Sequence, residues 1–127
     1  MRSFNWERTY DADLINSYIA DDPAFFRVKD PHDFPNVVFL HCEGVGIFPG
    51  IIRGDEFHAH ACVIPHSRGR AAVHAVKEGI RWVFENLPVD RITTKADRTK
   101  RHLLMFNATC FNRTHADEKY VYYEVRK

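Results

Sequence analysis

Between Glu56 and Leu87 the spacing of apolar residues changes from two to between three and four, and the change falls on one short turn. Upstream, Phe57, Ala59, Ala61 and Val63 alternate with Glu56, His58, His60 and Cys62, the period of a half-buried strand. Downstream, Ala72, Val76, Ile80, Val83, Phe84 and Leu87 recur at helical spacing, with Lys77, Glu78, Arg81 and Glu85 between them. A strand that feeds directly into a long amphipathic helix must lay that helix back on its own sheet. The chain is therefore of α/β type, and all-helical and pure sandwich folds are excluded.

The flanking segments extend this unit. Val37 to Cys42, Val45 to Ile52 and Glu56 to Ile64 read as three strands, separated by the turn residues Glu43-Gly44 and Arg53-Gly54-Asp55, and so as an antiparallel meander. Asp11 to Ala20 predicts a short first helix, carrying Leu14, Ile15, Tyr18 and Ile19, which Asp21-Asp22-Pro23 ends. Ala24 to Pro35 reads as irregular or weakly helical, punctuated by Pro31 and Pro35. After the long helix, Arg70 to Leu87, come a strand at Val89 to Lys95, a helix at Thr99 to Thr109 with Leu103, Leu104 and Ala108 on one side, and a last strand at Tyr120 to Val125. Strand, crossover helix and strand imply at least one parallel pair beside the meander. Gly79 inside the long helix implies close packing on a neighbour, because glycine there costs about 1 kcal/mol against alanine.

With 127 residues and no linker or repeat, the expectation is one domain, 1–127, with a mixed, twisted sheet flanked by helices (α+β in its meander). Eighteen Lys+Arg against 17 Asp+Glu give a net charge of +1, so nucleic acid is not an expected partner and any anion site is local. The apolar run Val45 to Ile52 is broken by Gly46, Pro49 and Gly50 and is far shorter than the roughly 20 residues of a membrane helix. No membrane partner is expected. The first residues lack a signal-peptide core, and Cys42, Cys62 and Cys110 have no disulfide or CxxC spacing, so the expectation is a cytoplasmic protein with reduced thiols.

The candidate chemistry lies at the strand-to-helix join, Val63-Ile64-Pro65-His66-Ser67-Arg68-Gly69-Arg70-Ala71-Ala72. Unpaired amides at a helix start, a glycine that admits close approach and two arginines make an anion-binding turn; a Ser67-capped helix with solvated arginines is the structural alternative. Glu56 and His58, on one face of the preceding strand, are candidate proton acceptors, since a histidine of ordinary pKa about 6.5 suits that work at neutral pH. The alternative is that they satisfy each other on a polar sheet face. His41, His58, His60 and Cys62 make a weaker metal reading, lacking any tight ligand pair, and no metal is assigned. GxxxxGK[ST], GxGxxG, HExxH and GxSxG are absent.

The order strand, Pro-x-x-Arg-Gly-x turn, long helix, strand, shorter helix and strand resembles the GNAT family of N-acetyltransferases from about Val37 to Val125. The resemblance implies acetyl-CoA as co-substrate, with its pyrophosphate on the turn and helix start formed by Val63, Ser67, Arg68, Gly69, Arg70, Ala71 and Ala72. It also implies transfer to a primary amine of a small molecule or protein, with Glu56 or His58 as base and CoA wedged between the third strand and the next. With Arg68 in the first position of the family's Arg/Gln-x-x-Gly-x-Gly/Ala turn, Ala71 and Val73 occupy its two small positions. Phe106 stands where many members carry a tyrosine that protonates the departing thiolate. The short chain and the wording of Arg68 to Phe84 further resemble small GNAT-like proteins of tailed bacteriophages. That resemblance implies an alternative, a catalytically lapsed protein that binds virion components during head assembly in the host cytoplasm; a homodimer is compatible with either.

Overall fold

The computed structural model describes residues 4–19, 27–60 and 69–127. They form one seven-stranded sheet and three α-helices in the order β1 (Glu7–Arg8), α1 (Ala12–Ile19), β2 (Val37–Cys42), β3 (Gly46–Arg53), β4 (Glu56–Ala59), α2 (Arg70–Asn86), β5 (Arg91–Asp97), α3 (Arg101–Cys110), β6 (Asn112–Ala116) and β7 (Tyr120–Arg126), with a 3-10 turn at Pro31–Asp33. The sheet order is β1-β2-β3-β4-β5-β7-β6, antiparallel throughout except for β4 beside β5. The expected meander and the expected parallel pair are both present.

Helix α2 exists because one of its faces is apolar. Ala72, Ala75, Val76, Gly79, Ile80 and Val83 are buried, and with Leu40, Phe48, Phe57, Ile92 and Val121 they form the main core on one side of the sheet. Its glycine behaves as the sequence implied. A Cβ on Gly79 would lie 3.1 Å from Phe48 Cδ2 and 3.4 Å from Trp6 Cε2, so aromatic rings pass directly over the helix backbone. Trp6 is anchored there by its indole N–H, which donates to the Ala75 carbonyl at 2.9 Å. On the other side of the sheet, α1 buries Ile15 and Ile19 against Phe39 and Ile47.

Three elements depart from the sequence reading. The segment Asn112–Ala116, expected as part of a loop, is a strand hydrogen-bonded to β7, with a register shift between Arg113 and His115. All five of its residues are exposed, so it shows no apolar alternation by which to recognise it. Helix α3 buries Cys110 and half-buries Leu103, Leu104, Phe106 and Asn107, so that Leu103 and Leu104 face inward as expected while Ala108 is exposed. Strand β1, only two residues long, pairs Glu7 with His41 and Arg8 with Leu40. The C-terminal part of the third predicted strand, from Ala61, lies outside the described residues.

Candidate functional site

The parallel ladder between β4 and β5 has three register pairs, Glu56 with Arg91, Phe57 with Ile92 and His58 with Thr93. One step further the backbone ladder stops: the Ala59 carbonyl accepts from the side-chain hydroxyl of Thr94 at 3.0 Å, while His60 N–H continues the β3 ladder by donating to the Pro49 carbonyl at 2.9 Å. The two strands part here. A cavity of ≈ 60 Å³ occupies the opening, bordered by Ala59 and His60 of β4, Thr94 and Ala96 of β5, and Leu103 and Phe106 of α3. Beyond Phe106 lies a broad groove of ≈ 770 Å³ between α2 and α3. Phe106 borders both spaces.

The groove begins at the start of α2. Gly69 is its N-cap, at φ 62° and ψ −132°, with no side chain capping the helix. A Cβ there would find nothing within 4 Å, so the glycine is required by its backbone angle and not by crowding. The first-turn amides of α2 have no acceptor within the helix, and they carry the positive end of the helix dipole. Arg70, His74 and Lys77 follow at intervals of three or four along the same helix face, and His102 faces them from α3. A glycine cradle, helix-start amides and basic side chains fit a phosphorylated ligand.

Glu56 and His58 share the opposite face of β4, as alternation required, while Phe57 and Ala59 are buried in the core. The Glu56 carboxylate lies 3.5 Å from Arg91 Nε, and Arg91 also reaches Asp55 at 3.6 Å. The His58 imidazole bonds through Nδ1 to the Thr93 hydroxyl at 3.0 Å. Burial pushes the His58 pKa below its ordinary 6.5, Arg53, Lys95 and His60 push the same way, and Glu56 opposes them. The ring is thus neutral at neutral pH. Of the other expected site residues, Gly69, Arg70, Ala71 and Ala72 open α2, whereas Val63, Ser67 and Arg68 lie outside the described residues.

Sequence reasoning missed Thr93, whose tie to His58 depends on a register between strands 35 residues apart. It also missed His74 and Lys77, which helical spacing from Arg70 would have found. Cys110 is buried and its thiol is pushed up by desolvation, which removes it as a nucleophile. Among the described residues, no three His, Cys, Asp or Glu side chains converge on a point that would hold a metal. Nor is any described helix long and apolar enough to cross a membrane.

A mixed sheet in which β4 and β5 are the parallel pair, with the long helix α2 next after β4 in the chain, is the fold of the GNAT acetyltransferases. Solved structures of that fold match along nearly the whole chain. A Bacillus subtilis acetyltransferase in complex with CoA superposes with a TM-score of 0.74 at 13% identity, covering 98% of this chain and 99% of that one. The Campylobacter jejuni N-acetyltransferase PseH in complex with acetyl coenzyme A gives 0.68 at 13%, covering 97% and 99%. The dodecameric spermidine N-acetyltransferase of Vibrio cholerae gives 0.75 at 9%, covering 97% and 93%. No protein-family model and no curated protein sequence matches the chain.

Proposed function

We propose that the protein transfers an acetyl group from acetyl-CoA to a primary amine. The observation that carries this reading is the opening of β4 from β5 after His58 and Thr93, continuous past Phe106 with a basic groove that starts at Gly69. In this reading the Gly69 turn and the first amides of α2 hold the pyrophosphate, with Arg70 and Lys77 adding charge. The positive φ of Gly69 supports a shifted alignment of the turn, with Gly69 in the glycine position and Ala71 in the small-residue position two further on. Val73 then falls outside the motif; it is half-buried against the core and lines the groove beside His74.

Acetyl-CoA, when bound, supplies an activated acyl thioester. The chain's part is to hold the amine beside it and take up its proton, and both tasks fall at the apex of the opening. His58 is the better placed base: it is neutral at working pH and occupies the last closed rung, whereas Glu56 is held by Arg91. A second reading, a lapsed phage-encoded protein that binds a virion partner, is favoured by Phe106, which stands at the mouth of the cavity without a proton to donate.

Calorimetric titration with acetyl-CoA, followed by thiol release with a panel of amines, tests the proposal. Micromolar binding and amine-dependent thiol release are expected. Absence of binding would refute the transferase and leave the binding protein.

A further inference from the structure

A second cleft, of ≈ 310 Å³, lies between residues 4–7 and the C-terminal half of α2. It is separate from the groove at the start of that helix, since among the described residues none borders both. Its aromatic lining is Phe4, Trp6 and Trp82. Trp6 is fixed in place: its indole N–H donates to the Ala75 carbonyl at 2.9 Å, its Cε2 lies 3.4 Å from where a Gly79 Cβ would stand, and Phe48 meets it edge-on with ring centres 6.0 Å apart. Trp82 is half-buried against the same core. Three carboxylates border these rings, Glu7 from β1 and Glu78 and Glu85 from α2, against one cation, Arg81. Arg81 lies 3.7 Å from Glu78, whereas Glu7 and Glu85 form no ion pair among the described residues. Glu85 also stands in the last turn of α2, at the negative end of the helix dipole, and no basic residue of that turn offsets it.

We propose that this cleft binds a small alkylammonium ion, its charged head among the indole rings and carboxylates and its chain on the apolar floor. Indole attracts a cation more strongly than any other aromatic side chain, through the negative face of its ring. Three carboxylates and one guanidinium give the lining a net charge of minus two, which rejects an anion and draws in a cation. A neutral apolar ligand would leave Glu7 and Glu85 without partners and would relieve nothing at the end of the helix. The volume is at the lower end of the range for small-molecule sites, about 300–1,000 Å³. Helix α2 is thus two-signed: Arg70, His74 and Lys77 border the groove of its first half, and Glu78 and Glu85 the cleft of its second. The cleft requires nothing of the proposed transferase, and a protein without catalysis would bind the cation equally.

The chain has two tryptophans and both border the cleft, so its intrinsic emission reports occupancy. The probe is hexyltrimethylammonium, which carries the charge and the chain but no N–H and cannot be acetylated. A saturable change in emission is expected, weakening as salt is added, while hexan-1-ol and hexanoate at the same concentrations give none. Trp82→Leu, read from Trp6, should weaken binding about 3–30-fold, and Glu85→Gln about 2–5-fold. Arg81→Gln removes the opposing cation and should strengthen binding by a similar factor. His58→Gln should bind as the parent does; loss of binding there would place the cation at the transferase site and overturn the proposal. So would an equal response to hexan-1-ol, or an affinity unchanged by both Trp82→Leu and Glu85→Gln. If Trp82→Leu does not fold, the exposed positions Glu85 and Arg81 decide the matter through their opposite signs.

Discussion

Replacing Gly69 by alanine separates the backbone role of the turn from its role toward a ligand. At φ 62° and ψ −132° an L-residue is strained by about 1–3 kcal/mol, and a stiffer unfolded chain returns about 0.4–1 kcal/mol. No steric term is added, since a Cβ at this position meets nothing within 4 Å. The net loss is about 1–2 kcal/mol, or roughly 3–10 °C in Tm for a chain of 127 residues. Should the turn relax to a negative φ, stability recovers, but the helix-start amides are re-aimed. In either case the methyl or the re-aimed amides remove one or more charge-assisted hydrogen bonds to phosphate, each worth about 1.5–3 kcal/mol, so acetyl-CoA affinity falls at least tenfold.

The structure provides its own controls. Gly44 and Gly54 also have positive φ, 76° and 60°, with nothing within 4 Å of a Cβ, and both lie in turns of the meander away from the groove. Their alanine variants should lose comparable stability and bind acetyl-CoA as the parent does. Thermal melts and calorimetric titration of the three variants make the comparison. Parent-like affinity in Gly69→Ala, or equal loss of affinity in all three, would refute the assignment of the turn as the phosphate cradle.

Other outcomes follow from the same geometry. Gly79→Ala gains about 1 kcal/mol of helix propensity but forces a methyl to 3.1 Å from Phe48, a ring 1% exposed and packed against both Trp6 and Phe57. Overpacking at about 1–3 kcal/mol should win, and the urea midpoint should fall; a rise would mean that the Phe48 ring can move. Because the folded-state pKa of His58 lies below the 6.5 of the unfolded chain, the unfolded state binds the proton first as pH drops. Stability should therefore decline as pH falls from 6.5 through the lowered value, a slope that His58→Gln should remove, and kcat/KM should rise with pH with its midpoint below 6.5; a midpoint above 6.5 would contradict the lowered pKa. Phe106→Tyr should change stability by less than about 0.5 kcal/mol, since the ring borders two open spaces, and should raise acetyl transfer; a loss of about 1–3 kcal/mol would mean that the new hydroxyl is sealed away from water.

The local part of this fold was written in the chain. Helix α2 runs Arg70–Asn86, where its 3.6-residue period placed it, and β2 begins and ends at Val37 and Cys42, where its strand-like run and the turn residues Glu43-Gly44 placed it. Glu56 and His58 share a face and Gly69 opens the helix because these properties depend only on neighbours along the chain. Strand β6 was not legible, because a strand exposed on both faces has no apolar pattern and is held by its hydrogen bonds to β7. Nor was the site itself. The three-rung ladder between β4 and β5 and the opening beyond it bring together residues 35 positions apart. Such a register is decided only when the whole sheet closes around its core, since a slip of one residue would turn every side chain of a strand to the other face.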